Sequence, residues 1–453
     1  MELKETSSQP YVHFSLATMS RQESSKQAFG DKSLRFSRRA PQLFSIAALM
    51  LGFACAACQE YVQSARQFRP FGSDLYRDSD LNTPDAIPGL IQNFDESMTF
   101  VYCECAALSD ALSDAFVLND ANFASAGIIT GNFGSRQRQI DLDRGNISHL
   151  EVSAEIWRLN FYANALLARL PAIPFTNSQR DAELRNRGYY NGYLFQGIVR
   201  YFGATYLGIA PTEGGAVIHP AGRFVPASAL YDSALASLEK ALPFATNPAD
   251  RRSARTLRSR ILLFQGEYAR AESEALQGLT ALDAPFPPLT FPMPSWLYNS
   301  ILPGFAPDER FYRYAASSRL DSVRLRALSV SLPNGGVRLQ QTRFGRNNVE
   351  TFVTWHENHL ILAECAYRRG DLERARTLLN EVRRSYQTSA IAADTLTSVL
   401  METIIRERDI ELFALGMRLA DQRRFNRWHL PAGTWQYLSI PQAELDNNPN
   451  LKP

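Results

Sequence analysis

Leu438-Ser439-Ile440-Pro441-Gln442-Ala443-Glu444-Leu445-Asp446-Asn447-Asn448-Pro449-Asn450-Leu451, near the carboxyl end, is the stretch on which the fold turns. Proline fixes φ and donates no hydrogen bond, so Ile440-Pro441 and Asn448-Pro449 mark an extended or turning segment. Such a segment keeps one conformation only where a folded body grips it.

Composition allows a large body. The chain has 453 residues, 45% hydrophobic and 21% charged, which is ordinary for a globular protein. A prior of ~150 residues per domain suggests three units, although repeat folds escape it. The net charge is +2 and no run of arginines exceeds two, so there is no electrostatic case for nucleic acid. The lysines are only Lys4, Lys26, Lys32, Lys240 and Lys452, and arginine carries the remaining positive charge. Five cysteines do not form a disulfide framework. Cys103 and Cys105, two apart in a helical pattern, point to different faces and share no metal. Cys365, among apolar neighbours, reads as a small core residue.

Residues 1–40 are polar and basic without an apolar period, and read as disordered or as an over-extended start with Met19 as the true one. Lys32, Arg35, Arg38 and Arg39 then precede an apolar stretch over residues 41–57 that ends in small residues, the layout of a secretory signal. Cys58 follows Ala56-Ala57 and precedes Gln59-Glu60-Tyr61-Val62, which makes it the lipidation candidate; Cys55, after Phe53-Ala54, is the alternative. Neither has a leucine three residues upstream. The competing reading is an uncleaved anchor, because the charge-free run from Ala40 to Cys58 is about the minimum for a membrane span.

The mature body, residues 58–453, reads as mostly α-helical. Asn82-Thr83-Pro84-Asp85 supplies a cap and a proline for a first helix carrying Ile87, Leu90, Ile91, Phe94, Met98, Val101 and Tyr102 at helical spacing. Further helices are expected over Val152–Leu170, over Asn186–Leu207 and from Ser228. Two helix pairs resemble tetratricopeptide repeats. Arg255–Phe264 and Ala271–Leu282 flank Gly266, while Asn358–Arg369 and Arg376–Ser385 flank Gly370. Each glycine is followed five positions later by an alanine, Ala271 or Ala375. Glycine permits the tight turn and alanine the close packing. No region shows sustained period-two alternation, so little sheet is expected. Residues 283–350 break the helical pattern with Pro285, Pro287, Pro288, Pro292, Pro294, Pro303 and Pro307, followed by Asn334-Gly335-Gly336, and read as a loop-rich insertion.

The tail closely resembles the carboxyl-terminal signature of the SusD/RagB family, and other segments agree in order and spacing. Trp157-Arg158-Leu159-Asn160-Phe161-Tyr162-Ala163-Asn164 is similar to the family's early helix. Tyr201-Phe202-Gly203 with Tyr206-Leu207 resembles a later helix end, without its usual proline. Glu357, Glu364, Gly370-Asp371, Ala375 and Asn380-Glu381-Val382-Arg383 resemble the late helices. Glu407-Arg408-Asp409-Ile410-Glu411-Leu412 with Gly416, Arg418, Asp421 and Arg424-Phe425 resembles the helix after them, with Leu415 where an acid is common. The resemblance implies a mostly helical lipoprotein of a Gram-negative outer membrane, at the cell surface. It would capture a nutrient, most often an oligosaccharide, and deliver it to a SusC-like TonB-dependent transporter. It implies no enzyme activity and no cofactor. The alternative is a tetratricopeptide-type lipoprotein that scaffolds protein assembly in the envelope.

The remaining patterns were weighed as chemistry. His356-Glu357-Asn358-His359 spaces its imidazoles at i, i+3, unlike the i, i+4 of zinc proteases, so no metal site is expected. Asp110 and Asp114, at i, i+4, have the residue types of a glycosidase pair, against the plainer reading of a solvated helix end. No Ser-His-Asp order, P-loop or GxGxxG stands out. Arg408 with Glu411 and Arg418 with Asp421 stand at i, i+3, and with Glu407 are expected to organise the fold; exposed pairs of this kind contribute a few tenths to ~1 kcal/mol. Tyr189, Tyr193, Phe195, Tyr201 and Phe202 read as core. Rings outside helical periods can stack on sugars while nearby polar groups read hydroxyls. Glycan-binding members of the family use such an arrangement, and the candidates here are Asn119, Asp120, Asn122 and Phe123 in one loop with Trp296 and Tyr298 in another.

Overall fold

The computed structural model describes residues 81–118, 147–283, 290–292, 305–317, 319–325, 327–331, 337–341 and 349–451. Its first helix, α1 (Ile87–Leu112), follows a 3-10 turn at Pro84–Ala86 and carries Pro88 in its first turn, where a missing N–H costs nothing. All seven apolar positions expected on it are buried. So are both Cys103 and Cys105, because α1 is covered from several directions by helices and strands.

α2 (Ile147–Arg169), α3 (Gln179–Tyr206) and α4 (Ala227–Ala241) pack side by side in chain order. α3 begins seven residues before the apolar period reveals it, since only Ala182 and Leu184 are apolar among residues 179–185. Ser178 sets that start by accepting a hydrogen bond from Asp181 N at 3.2 Å. A Cβ at Gly192 would lie 2.7 Å from Leu167, and one at Gly197 2.8 Å from Leu238, so α3 approaches both neighbours closely. Phe195, Tyr201 and Phe202 are core, as expected. Tyr189 and Tyr193 are only half-buried, because their face of α3 lies in the gap between α2 and α4.

The two repeat-like pairs are α5 (Pro248–Phe264) with α6 (Tyr268–Ala275), and α9 (Trp355–Arg368) with α10 (Leu372–Ser385). Gly266 has φ +78 and Gly370 φ +88, with no atom within 4 Å of a built Cβ, so backbone conformation alone demands glycine there. Ala271 and Ala375 are both fully buried. α6 ends at Ala275, seven residues short of the expected Leu282. Asn358 of α9 takes over there: its Nδ2 donates to Ala275 O at 2.8 Å and to Leu279 O at 2.9 Å. The two pairs are joined through this side chain.

The insertion holds more regular structure than its prolines suggest. β5 (Thr290–Pro292) pairs with β9 (Val349–Thr351), which ties its two ends together. β6 (Phe305–Pro307) pairs with β1 (Phe116–Leu118), and β7 (Ala327–Ser331) with β8 (Val337–Gln341). Two short helices, α7 (Glu309–Ser317) and α8 (Arg319–Arg324), deliver Phe311 and Leu325 to the core. Strands of three to five residues are too short to show a sustained alternation. Asn334-Gly335-Gly336 lies outside the described residues.

α11 (Thr397–Glu411) and α12 (Arg418–Arg424) precede the tail. A small sheet grips it. β2 (Leu207–Ala210), β3 (Glu213–Ala216) and β4 (Val225–Pro226) are antiparallel neighbours, and β10 (Leu438–Ser439) adds in parallel to β2. α13 (Gln442–Asn447) follows, and then Asn448 is buried with Nδ2 on Gly222 O at 2.7 Å. Asn450 Nδ2 donates to Ala221 O at 2.8 Å. On the other side Trp157 Nε1 donates to Val217 O at 2.7 Å, and Asn160 Nδ2 to Ile218 O at 3.0 Å. The tail and the early helix thus hold one connection, residues 217–222, between them. Among the described residues no helix is long and apolar enough to cross a membrane.

Replacing Ala375 with tryptophan forces a large ring into a filled helix interface, and the expected cost is at least ~1–3 kcal/mol. Urea unfolding followed by circular dichroism checks it. An unchanged midpoint would mean that α10 does not pack closely at Ala375.

Candidate functional site

Asn119, Asp120, Asn122, Phe123, Trp296 and Tyr298 lie outside the described residues, as do Cys55 and Cys58. The structure does fix where their segments leave and rejoin the body. Leu118 of β1 stands opposite Phe305 of β6 in the antiparallel register. The chain passes from Leu118 directly into the 119–146 segment and returns from 293–304 directly into Phe305. The two candidate ligand loops therefore share a root.

That root rests on a cage of buried charge. Asp308 N donates to Ala115 O at 3.0 Å, fastening the strand ends together. Arg310 reaches Asp114 O at 2.6 Å, the Asp114 carboxylate at 3.0 Å and Asp409 at 3.1 Å. Arg418 grips Asp114 with two nitrogens, at 2.6 and 2.9 Å, and Asp409 at 3.0 Å. Behind it, Arg408 forms a two-pronged contact with Asp421 at 3.0 and 3.1 Å. Arg424 links Asp421 to Glu364, each at 2.6 Å. Burial would raise the carboxyl pKa of Asp114, but Arg418 and Arg310 outweigh it and hold the group below its ordinary range.

These partners replace the i, i+3 pairs expected from sequence. Arg408 binds Asp421 instead of Glu411, and Arg418 binds Asp114 and Asp409 instead of Asp421. Glu411 instead lies 3.7 Å from Arg324, and Glu407 2.8 Å from it. In a buried setting a guanidinium gains most from planar two-pronged contact with a carboxylate on another element, which neighbours one turn away on the same helix do not offer. Arg408 is 1% exposed, so the surface value for an ion pair does not apply. Removing one partner of such a pair typically costs ~3–5 kcal/mol, since it strands the other charge. The structural role expected for Glu407, Arg408, Arg418 and Asp421 agrees with this geometry. Arg310 and Asp308 carry no such signal in the sequence, and Asp409 stands in the motif without a partner assigned until the fold supplies Arg310 and Arg418.

Asp110 and Asp114 form neither a catalytic pair nor a solvated helix end. Asp110 is buried, with Oδ2 accepting from Gly416 N at 2.9 Å and Oδ1 without a partner. It lines a cavity of about 10 Å³ with Asp409, Arg418 and Asp421, room for about one water. Burial, only partly offset by Gly416 N–H and Arg310, pushes its pKa up to about 7. A space of that size admits no sugar. The His356–His359 segment is likewise spoken for. Glu357 is paired with buried Arg260, His356 Nε2 contacts Ser385 Oγ at 3.0 Å, and His359 Nε2 lies 3.2 Å from Glu381. Among the described residues no group of three or more His, Cys, Asp or Glu is placed to hold a metal.

With this geometry in view, comparison with known proteins is informative. Residues 357–437, which run from the first turn of α9 through α12 and include most of the cage, match the model of the SusD family. No curated protein matches the chain. A SusD superfamily protein from Bacteroides thetaiotaomicron has the same fold, with TM-score 0.63 and 18% identity over 82% of this chain and 99% of that one. A putative sugar binding protein from Bacteroides vulgatus matches with TM-score 0.62 and 18% identity, over 83% and 99% of the two chains. Surface glycan-binding protein A from Bacteroides thetaiotaomicron matches with TM-score 0.55 and 14% identity, over 82% and 99%. The resemblance seen in the sequence and the mostly helical, repeat-paired architecture are both borne out.

Asp110 gives the cage a pH dependence. Its pKa is about 7 folded against an ordinary 3.8, so the folded state favours the protonated form. Its contribution is complete below about pH 4, is lost as pH rises towards about 7, and changes at ~1.4 kcal/mol per pH unit between. Asp110→Asn keeps an acceptor for Gly416 N–H and cannot ionise. Thermal melts should show this variant gaining on the parent from pH 4 to pH 7 and holding the gain at pH 8. A constant difference across that range would show that Asp110 does not titrate there.

Proposed function

We propose that this chain, carrying SusD-family helices on a SusD-superfamily fold, captures an oligosaccharide at the two loops rooted on β1 and β6. It then passes the ligand to a SusC-like TonB-dependent transporter in the outer membrane. The observation that carries the reading is the Leu118–Phe305 register pair. It sets Leu118, from which the chain continues to Asn119, opposite Phe305, to which it returns from the segment carrying Trp296 and Tyr298. Family and fold comparisons with sugar-binding proteins support the ligand class.

No bond is made or broken in this function. Aromatic faces would stack on the apolar faces of sugar rings, and amide and carboxylate groups would read hydroxyls. The cage beneath contributes rigidity, which limits the ordering cost of binding. Cys58, with Cys55 as the alternative, would carry the acyl anchor at the cell surface, and more than one chain gives stable attachment. The repeat-like pairs belong to this fold itself, so they make no separate case for a protein-only scaffold.

Trp296→Ala tests the site. If Trp296 stacks on sugar, calorimetry against a glycan panel should show affinity falling by ~1–3 kcal/mol while the melting temperature stays nearly constant. A large drop in melting temperature would instead assign the ring to a core. Unchanged affinity for a glycan that does bind would remove it from the site. Anchoring is tested separately by metabolic labelling with a fatty-acid analogue. Cys58→Ala should lose the label and Cys55→Ala keep it; label retained by both variants would refute acylation at either position.

A further inference from the structure

Tyr189, Tyr193, Gln196 and Arg200 recur on α3 at steps of four and three, and so lie along one face of the helix. Gly188 and Gly192 turn towards Leu170 and Leu167, and Gly197 towards Leu238 of α4, which places that face between two flanking elements. One end of the strip is aromatic. The rings of Tyr189, Tyr193 and Phe244 are near parallel, at 18° to 23°, with centroids 4.8 to 6.2 Å apart, and none is fully buried. Lys240 Nζ stands 6.0 Å from the Tyr193 ring. The middle is amide: Gln196 Nε2 donates to Asn164 Oδ1 at 2.7 Å, and Ser237 Oγ donates to Gln196 Oε1 at 2.9 Å.

The other end is Arg200, which differs from the buried arginines of the core. The buried guanidiniums of Arg258, Arg260, Arg324, Arg408 and Arg424 each face a carboxylate. Arg200 is half-buried, yet among the described residues its hydrogen bond goes to Ser237 Oγ and no carboxylate pairs with it. Burial alone lowers its pKa, with no acid to raise it again. A cation drawn out of water without a counter-ion is costly to the folded chain, and Arg has donors left for a planar two-oxygen acceptor. From Tyr189 to Arg200 the helix rises ~16 Å, long enough for an oligomer and too long for one ring.

We propose that this strip is a second saccharide site, separate from the loop roots, and that its ligand is an oligosaccharide bearing uronate carboxylates. Sugar rings lie against Tyr189, Tyr193 and Phe244, hydroxyls meet the amides of Gln196 and Asn164, and a carboxylate completes Arg200. The proposal rests on the glycan-binding reading above and adds the charge of the ligand and the place where that charge is read.

The test uses the full chain and calorimetry with tri-galacturonate and its carboxyl-reduced, neutral counterpart. The acid is expected to bind at least ~10-fold more tightly, a preference of the size that a charged hydrogen bond supplies. Arg200→Gln should erase that preference and leave affinity for the neutral form unchanged. Arg200→Lys, which keeps the charge without the planar fork, should retain part of it, and serves also if the Gln variant does not fold. Tyr193→Ala should weaken both forms. Equal affinity for the two forms, or a preference that survives Arg200→Gln, overturns the proposal. Loss of tri-galacturonate binding in Trp296→Ala would show one site instead of two, and also overturns it. Binding of neutral glycans that Trp296→Ala abolishes, with no binding of tri-galacturonate, overturns this site and leaves the loop site standing. Failure of every glycan to bind removes both.

Discussion

Arg418 reaches back across 304 positions of sequence to hold Asp114 with two nitrogens, and the same guanidinium touches Asp409. Few other contacts in the molecule constrain so much. Asp114 follows the end of α1, Asp409 belongs to α11, and Arg310, which binds both, stands in the first turn of α7 just after β6. Three distant stretches of chain are thereby fixed at one point, and the strand pair that launches the candidate loops stands directly on it. A hydrophobic cluster of similar volume could supply comparable stability. It would not fix direction in the same way, because apolar contacts are non-directional whereas paired forks and carboxylates are planar and angular.

The helical body was legible because its signals are local. The apolar period of α1 from Ile87 to Tyr102, the Gly370 turn and the buried Ala375 are each decided by neighbours within a few turns. The start of α3 was missed because only Ala182 and Leu184 are apolar among its first seven residues, and the cap at Ser178 carries no period. The end of α6 was missed for a different reason. Asn358, 83 residues away from Ala275, captures its carbonyl, and nothing near residue 275 announces that partner. Tyr189 and Tyr193 have the same spacing as core aromatics; only the position of α2 and α4 on either side shows that their face is open.

Charge was the least legible property. Arg408 and Arg418 stand in a recognisable motif, but partners one turn along the helix were expected for them, and their partners prove to lie on other stretches of the chain. Sequence spacing identifies groups able to meet on one helix, whereas burial decides which of them will, by making a distant two-pronged contact worth more than a nearby single one. The same logic explains Asp110, whose solvated reading failed because its helix end is roofed by Gly416 and the residues after it. The candidate loop residues stayed beyond both kinds of reading, and what the fold contributes is the register pair from which they depart.

The grip on the tail bears on how the chain acquires its structure. β10 is hydrogen-bonded to β2, and Asn448 to Gly222, a partner 226 residues earlier. A ribosome delivers the chain from its amino end, so the small sheet stays one strand short until Leu438 and Ser439 emerge. Long-range closures of this kind slow folding, because the intervening chain must be ordered before the contact rewards it. A protein lacking residues 438–451 would lack the strand and the amide that finish the sheet. The sheet is therefore closed by a strand and an amide that are made long after their partners.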